Sequence, residues 1–140
     1  MVMPFSNKVA DDNYKHSIKI ICEEFDLEVR RSDEIFGTRP IYEDIVHEIQ
    51  NSSVVIVDIT DKNPNVFYEL GISHTLKQNR TIVVTQDDFG NMPFDIAHFS
   101  IIVYKNSIGG KVEFEDTFRS TLCILFENKL EYYKEEFNLI

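Results

Sequence analysis

The sequence predicts an α/β fold: one domain over residues 1–140, built on a doubly wound, five-stranded parallel sheet with helices on both faces. Three observations carry this expectation. Five short apolar runs alternate with stretches of helical periodicity, the pattern of βαβ units. Residues 54–59, Val-Val-Ile-Val-Asp-Ile, are apolar on both sides of the pleat until Asp58, as in a central strand covered on both faces. Two segments begin with a helix-start signal, Pro40 and the pair Asn63-Pro64, where a proline at the first helical position loses no useful N–H.

The elements follow in order. Residues 1–5 read as a first strand ending at Pro4, short because the chain begins inside what would otherwise be a longer strand. Residues 11–25 form a helix: Ile18, Ile21, Cys22 and Phe25 recur at i, i+3, i+4 and i+7, and Asp11 and Asp12 suit its first turn. Residues 27–31 give a weak second strand, and residues 33–39 a loop around Gly37. Pro40 opens a helix whose buried side carries Ile41, Ile45, Val46 and Ile49. After the central strand, Asn63 caps a third helix that runs to about Gln78. Residues 80–85 form the fourth strand, residues 86–95 a turn-rich loop and residues 100–104 the fifth strand. Gly109-Gly110 break the chain before a last helix with Phe114, Phe118, Thr121, Leu122 and Leu125 on one face. The segment from Glu127 is charged, with Tyr132, Tyr133 and Phe137 interspersed, and reads as a helical tail.

Composition narrows the function. The 140 residues carry 14 Lys+Arg against 24 Asp+Glu, a net charge of −10, and eleven acidic against five basic side chains fall within residues 11–48. Such a surface is a poor match for nucleic acid or anionic lipid, which attract clustered Lys and Arg. No apolar run reaches transmembrane length and the start lacks a basic leader, so a cytoplasmic protein is expected. Cys22 and Cys123 each fall in an apolar helical pattern and read as reduced, small hydrophobes. His16, His47, His74 and His98 show no metal-ligand spacing, and no metal site is expected. Phosphate-binding, dinucleotide-binding and serine-hydrolase glycine motifs are missing from the sequence.

In doubly wound sheets the ligand crevice lies beyond the carboxyl ends of the strands. That rule points to residues 4–8, 32–39, 58–65 and 86–94. The third strand exits as Asp58-Ile59-Thr60-Asp61-Lys62-Asn63-Pro64-Asn65, and Glu69 lies in the helix that follows, the only carboxylate between Lys62 and His74. Near a helix N-terminus it is expected to be an anion at neutral pH. An ionised carboxylate facing a crevice suits cleavage of a ribosyl bond, because it stabilises or traps an oxocarbenium-like centre. Arg39 reads either as a phosphate ligand at a helix start or as a cation on an acidic surface. Phe5 and Phe36 are candidates to stack on a base; Phe67 reads as core.

The run from Asp58 to Gly71, Asp-Ile-Thr-Asp-Lys-Asn-Pro-Asn-Val-Phe-Tyr-Glu-Leu-Gly, resembles the central motif of bacterial nucleotide-binding TIR-like domains. These are related to Toll/interleukin receptor NAD-cleaving domains and to nucleoside 2-deoxyribosyltransferases. Met3-Pro4-Phe5-Ser6, the segment from Asp33 to Ile41, and Met92-Pro93-Phe94-Asp95 match the same family in order and spacing, so the similarity runs to about residue 126. The resemblance implies a flavodoxin-like, TIR-like sheet with Glu69 as catalytic carboxylate. Phe5 and Ser6 would line the ribose or phosphate, and Asp33, Phe36 and Arg39 the base or phosphates. Asp58, Thr60, Asn63 and Asn65 would hold sugar hydroxyls. It further implies NAD as substrate with no separate cofactor, a setting in antiviral defence, self-association through the last helix and tail, and a downstream effector protein as partner.

Three functions are compatible with these residues. The first is cleavage of the nicotinamide–ribose bond of NAD, yielding a free, cyclic or conjugated ADP-ribose. The second is a nucleoside or nucleotide deoxyribosyltransferase or N-hydrolase, in which Asp33 or Asp61 protonates the base. The third is a nucleotide sensor that binds without turnover.

Overall fold

The computed structural model describes residues 1–36, 42–86 and 100–136, and the side chains among them except those of Phe36 and residues 127–136. The chain is mostly helical. Among the described residues the sheet has three parallel strands, β1 (Val55–Asp58), β2 (Thr81–Thr85) and β3 (Ile101–Val103), in the order β1-β2-β3. Ile56 pairs with Ile82 and Val83 with Ile101.

The expectation of five strands is thus corrected, and the hydrogen bonds show why. The predicted first strand reduces to a single parallel bridge, Val2 with Val57. Val2 N–H donates to Ile56 O at 2.9 Å, and its carbonyl accepts from Asp58 N–H at 2.8 Å. The next rung along the chain requires an N–H from residue 4, which is Pro4, so the ladder stops. Residues 27–31 also form no strand: the main-chain hydrogen bonds described between this region and the chain start are Ser32 N–H on Met1 O and the Met1 nitrogen on Arg30 O.

The helices largely keep their predicted places. α1 (Lys8–Asn13) begins with Asn7, whose side chain accepts from Ala10 N–H, and continues through a π-helical segment, Tyr14–Ile18, into α2 (Lys19–Glu24). α2 ends with Asp26 in the left-handed region (φ 57°) and Leu27 N–H on Cys22 O, a Schellman-type closure made here without glycine. Part of the predicted loop at 33–39 is instead helical, α3 (Ser32–Phe36). α4 covers Tyr42–Asn51; Gly37 to Ile41, including Arg39 and the expected start at Pro40, lie outside the described residues, as does most of the 86–95 loop. α5 (Pro64–Lys77) has Asn63 as N-cap and Pro64 at its start, as its sequence dictates. α6 (Ile108–Glu136) incorporates Gly109 and Gly110 in its first turn rather than following them.

Side-chain alternation along the strands splits the core into two layers. Ile56, Ile82 and Val84 pack with Ile18, Ile21 and Cys22 and with Phe114, Phe118 and Leu122 of α6. Val55, Val57 and Val83 pack with Ile45 and Ile49 of α4 and with Val66 and Leu70 of α5. Cys22 is buried as expected, whereas Cys123 is exposed. No helix among the described residues is long and apolar enough to cross a membrane.

Candidate functional site

The loop leaving β1 turns sharply, with Asp61 and Lys62 both at positive φ (65° and 50°). A buried network anchors it. Asp58 is fully buried, and its Oδ1 accepts from Thr60 N–H (3.0 Å) and Thr60 Oγ1 (2.6 Å). The Tyr104 hydroxyl donates to Asp58 Oδ2 at 2.7 Å and lies 2.9 Å from Thr60 Oγ1, which also accepts from Gln86 N–H. Burial and the Asp58 carboxylate push the Tyr104 phenol well above its ordinary range. Asp58 and Thr60, expected to hold sugar hydroxyls, are thus engaged in tying the ends of β1, β2 and β3 together. Asn63 is engaged too, since its Oδ1 accepts from Asn65 N–H at 2.9 Å to cap α5, while the Asn65 residue itself is exposed.

The amino-terminal candidates gather around Arg31. Arg31 is only 9% exposed, and its guanidinium forms two bonds to the Asp33 carboxylate and one to Asp11. The rings of Phe5 and Tyr14 lie over it, at 6.0 and 5.7 Å. Asp33 is therefore committed to an ion pair. Phe5 is 60% exposed and Ser6 exposed. Phe36 ends α3, and nothing is described of its side chain; Arg39 lies outside the described residues.

Glu69 occupies a different place. It sits in the second turn of α5, beyond the first turn in which the helix dipole acts, and lines a cavity of about 430 Å³. Burial raises its pKa above the ordinary glutamate value, and attraction to the chain's amino-terminal nitrogen only partly opposes this. Desolvation is the main cause of this shift, and the helix terminus, more than a turn away, is too distant to counter it. Its Oε2 is buried without a hydrogen-bond partner among the described residues.

The cavity walls combine Val2, Ser32 and Ile35 with Ile45, Glu48 and Ile49 of α4. Of the predicted site residues whose side chains are described, Glu69 is the one that lines it. Glu48 was not anticipated, although its place three residues after Ile45 and beside Ile49 sets it at the border of the apolar stripe of α4. Asp33 and Asp61, the anticipated acids, are paired instead with Arg31 and with Asn7 Nδ2 (2.8 Å). A second hollow of about 520 Å³, between α1 and the start of α6, is lined by Asn13, His16, Lys105 and Lys111 among others and contains none of the predicted residues.

The volume of the cavity beside Glu69 lies within the range of small-molecule sites, roughly 300–1,000 Å³. What the arrangement offers chemically is a desolvated carboxylate whose Oε2 has no partner among the described residues, in a cavity of mixed polar and apolar lining that also includes Asp26, Glu28 and Glu48. Among the described residues, no three His, Cys, Asp or Glu side chains are placed to hold a metal. No protein-family model matches the chain, and no curated protein matches it.

Proposed function

We propose that the chain is a TIR-like enzyme that cleaves the N-glycosidic bond of NAD, with Glu69 as its catalytic carboxylate. One observation carries the reading: Glu69 Oε2 is buried, unpartnered and on the wall of a cavity of ligand size. In this reaction the bond between ribose C1′ and the pyridinium nitrogen breaks, and its electron pair passes to the ring. Nicotinamide departs neutral, so no acid is needed to assist it. Glu69 stabilises the oxocarbenium-like centre and accepts a proton from the attacking water or hydroxyl. A desolvated carboxylate of raised pKa is a better proton acceptor than an ordinary one. The product is free, cyclic or conjugated ADP-ribose, and the resemblance supports a role in bacterial antiviral signalling by a self-associating protein.

A second reading, a nucleoside or nucleotide N-glycosidase or deoxyribosyltransferase, is favoured by Glu48. A purine leaves as an anion unless protonated, and Glu48 is one of three further carboxyl groups, with Asp26 and Glu28, on the same cavity.

The test is to incubate the protein and its Glu69→Gln variant with NAD and with a panel of nucleosides, deoxynucleosides and nucleotides, following released base by chromatography. Nicotinamide release lost in Glu69→Gln supports NAD cleavage. Release from nucleosides alone, lost also in Glu48→Gln, moves the assignment to the second reading. Ligand binding with no turnover leaves a nucleotide sensor.

A further inference from the structure

The hollow of about 520 Å³ between α1 and the start of α6 shares no lining residue with the cavity beside Glu69. It lies beyond the carboxyl end of β3, where Tyr104 leads the chain into Lys105, Asn106 and Ser107. That turn is tightly held. Ser107 N–H donates to Lys105 O at 2.8 Å, Gly110 N–H donates to the Ser107 hydroxyl at 3.1 Å, and Lys111 N–H donates to Ser107 O at 2.9 Å. A Cβ at residue 110 would meet Lys105 Cβ at 2.7 Å, so the turn closes this far because residue 110 is glycine. The facing wall is the junction of α1 with the π-helical segment Tyr14–Ile18, where Asn13 and His16 line the hollow. Such widened turns are rare in helices and concentrate at functional sites.

The charges on this hollow run against the −10 of the whole chain. Lys105 and Lys111 line it, with Asp12 as the one carboxylate among the lining residues. Asp12 is already held by Lys8 at 2.7 Å. Glu115, behind the lining, stands 3.7 Å from the Lys111 amine and accepts from Ser17 Oγ at 2.8 Å. Lys105 forms no ion pair among the described residues. Cationic charge is therefore in excess here. Asn13 adds a second mark: its amide Nδ2 is buried with no hydrogen-bond partner among the described residues. An unmet buried donor is a cost that an acceptor brought to that wall removes. Val9 and Ile108 supply apolar margins, and Ile108 is 89% exposed.

We propose that this hollow binds a small-molecule phosphate monoester that carries an apolar or aromatic body. Two lysines balance the two negative charges of the phosphate, which a carboxylate would use only by half. Asn13, His16 and Asn106 supply N–H donors for its three terminal oxygens. The body of the ligand covers Val9 and the exposed side chain of Ile108, and the volume is that of a small-molecule site rather than of a bare ion. The proposal does not depend on the catalytic reading of Glu69.

The test titrates the full chain, labelled with 15N, with phenyl phosphate, and separately with phenol and with inorganic phosphate as the two halves of that probe. The expected result is a saturable shift of the Lys105, Asn106 and Lys111 amide signals with phenyl phosphate, about tenfold weaker binding of inorganic phosphate, and no response of these signals to phenol. The double variant Lys105→Gln/Lys111→Gln is expected to bind phenyl phosphate about tenfold more weakly or worse, while Lys105→Arg/Lys111→Arg retains binding. Added sodium chloride weakens binding by the wild type more than by the glutamine variant. Both lysines are exposed, and an unchanged thermal melt shows that each variant is folded. The proposal is overturned by undiminished binding in the glutamine variant, by phenol shifting the same signals as strongly, by inorganic phosphate binding as tightly as phenyl phosphate, or by no saturable shift at millimolar concentration. Shifts confined to the amides of Glu48, Ile49 and Glu69 put the probe in the other cavity and overturn it too. None of these readouts involves base release, so a protein that binds phenyl phosphate at Lys105 and cleaves nothing refutes the catalytic reading and leaves this site intact.

Discussion

Replacing Tyr104 by Phe tests whether the Asp58–Thr60–Tyr104 network holds the loop that leads to Glu69. The phenylalanine keeps the ring, and with it the edge-on contact with Phe114 (centroids 5.7 Å apart, 69° between planes) and nearly all of the burial. What is removed is the hydroxyl, which donates to Asp58 Oδ2 at 2.7 Å and lies 2.9 Å from Thr60 Oγ1. A hydrogen bond to a charged group contributes about 1.5–3 kcal/mol, so with Thr60 also losing a neighbour the loss is about 2–3 kcal/mol. For a domain of this size that lowers Tm by roughly 6–15 °C. Urea denaturation followed by far-UV circular dichroism measures it, with m unchanged if only the native state is affected. Thr60→Val and the double variant complete a cycle, in which the double loss is smaller than the sum because both hydroxyls serve one carboxylate. A loss below about 0.5 kcal/mol, the range of ordinary surface changes, refutes the anchoring role.

Other outcomes follow from the same geometry. Glu69→Gln is expected to stabilise the fold at neutral pH by on the order of 0.5–1 kcal/mol while abolishing base release, because a half-buried carboxylate without a partner is removed. Its pKa is raised in the folded state, so wild-type stability falls as pH climbs from about 4.5, the ordinary glutamate value, through the folded value. The advantage of the variant therefore vanishes in thermal melts below that window. Gly110→Ala places a Cβ 2.7 Å from Lys105 Cβ and 3.0 Å from Lys105 O, and is expected to cost about 1–3 kcal/mol in denaturant melts. Gly109→Ala meets nothing within 4 Å and is expected to be neutral or stabilising by up to about 1 kcal/mol. Burial pushes the Cys22 thiol up to about 11, so an aromatic disulfide reagent should titrate one thiol, Cys123, in the native protein and both in denaturant.

The local grammar of the chain was legible in its residues. Asn63-Pro64 starts α5, the apolar run at 54–59 contains a buried strand, and the spacing of Ile18, Ile21 and Cys22 marks a core-facing helix, because caps and periodicity act over one or two turns. The number of strands was not, since pairing is a long-range matter: Pro4 ends a ladder whose other rail is β1, more than fifty residues away. Gly71 is exposed with open space around it, because a face of α5 is chosen by what packs there and not by the glycine.

The candidate site divides along the same line. Glu69 stood out in sequence as a lone carboxylate on a helix that otherwise packs with Val66 and Leu70, and among the described predicted side chains it alone reached the cavity. Sequence also marked Asp58, Asp33 and Asn63 as candidate polar residues; they lie at the end of β1, in α3 and at the N-cap of α5. Only the tertiary structure decided that they are occupied, by Tyr104 and Thr60, by Arg31, and by the cap of α5, while Glu69 keeps an oxygen without a partner. The type and place of a polar side chain are written in the sequence. Whether its lone pairs are free for a ligand depends on donors brought from elsewhere, such as Tyr104, 46 positions from Asp58.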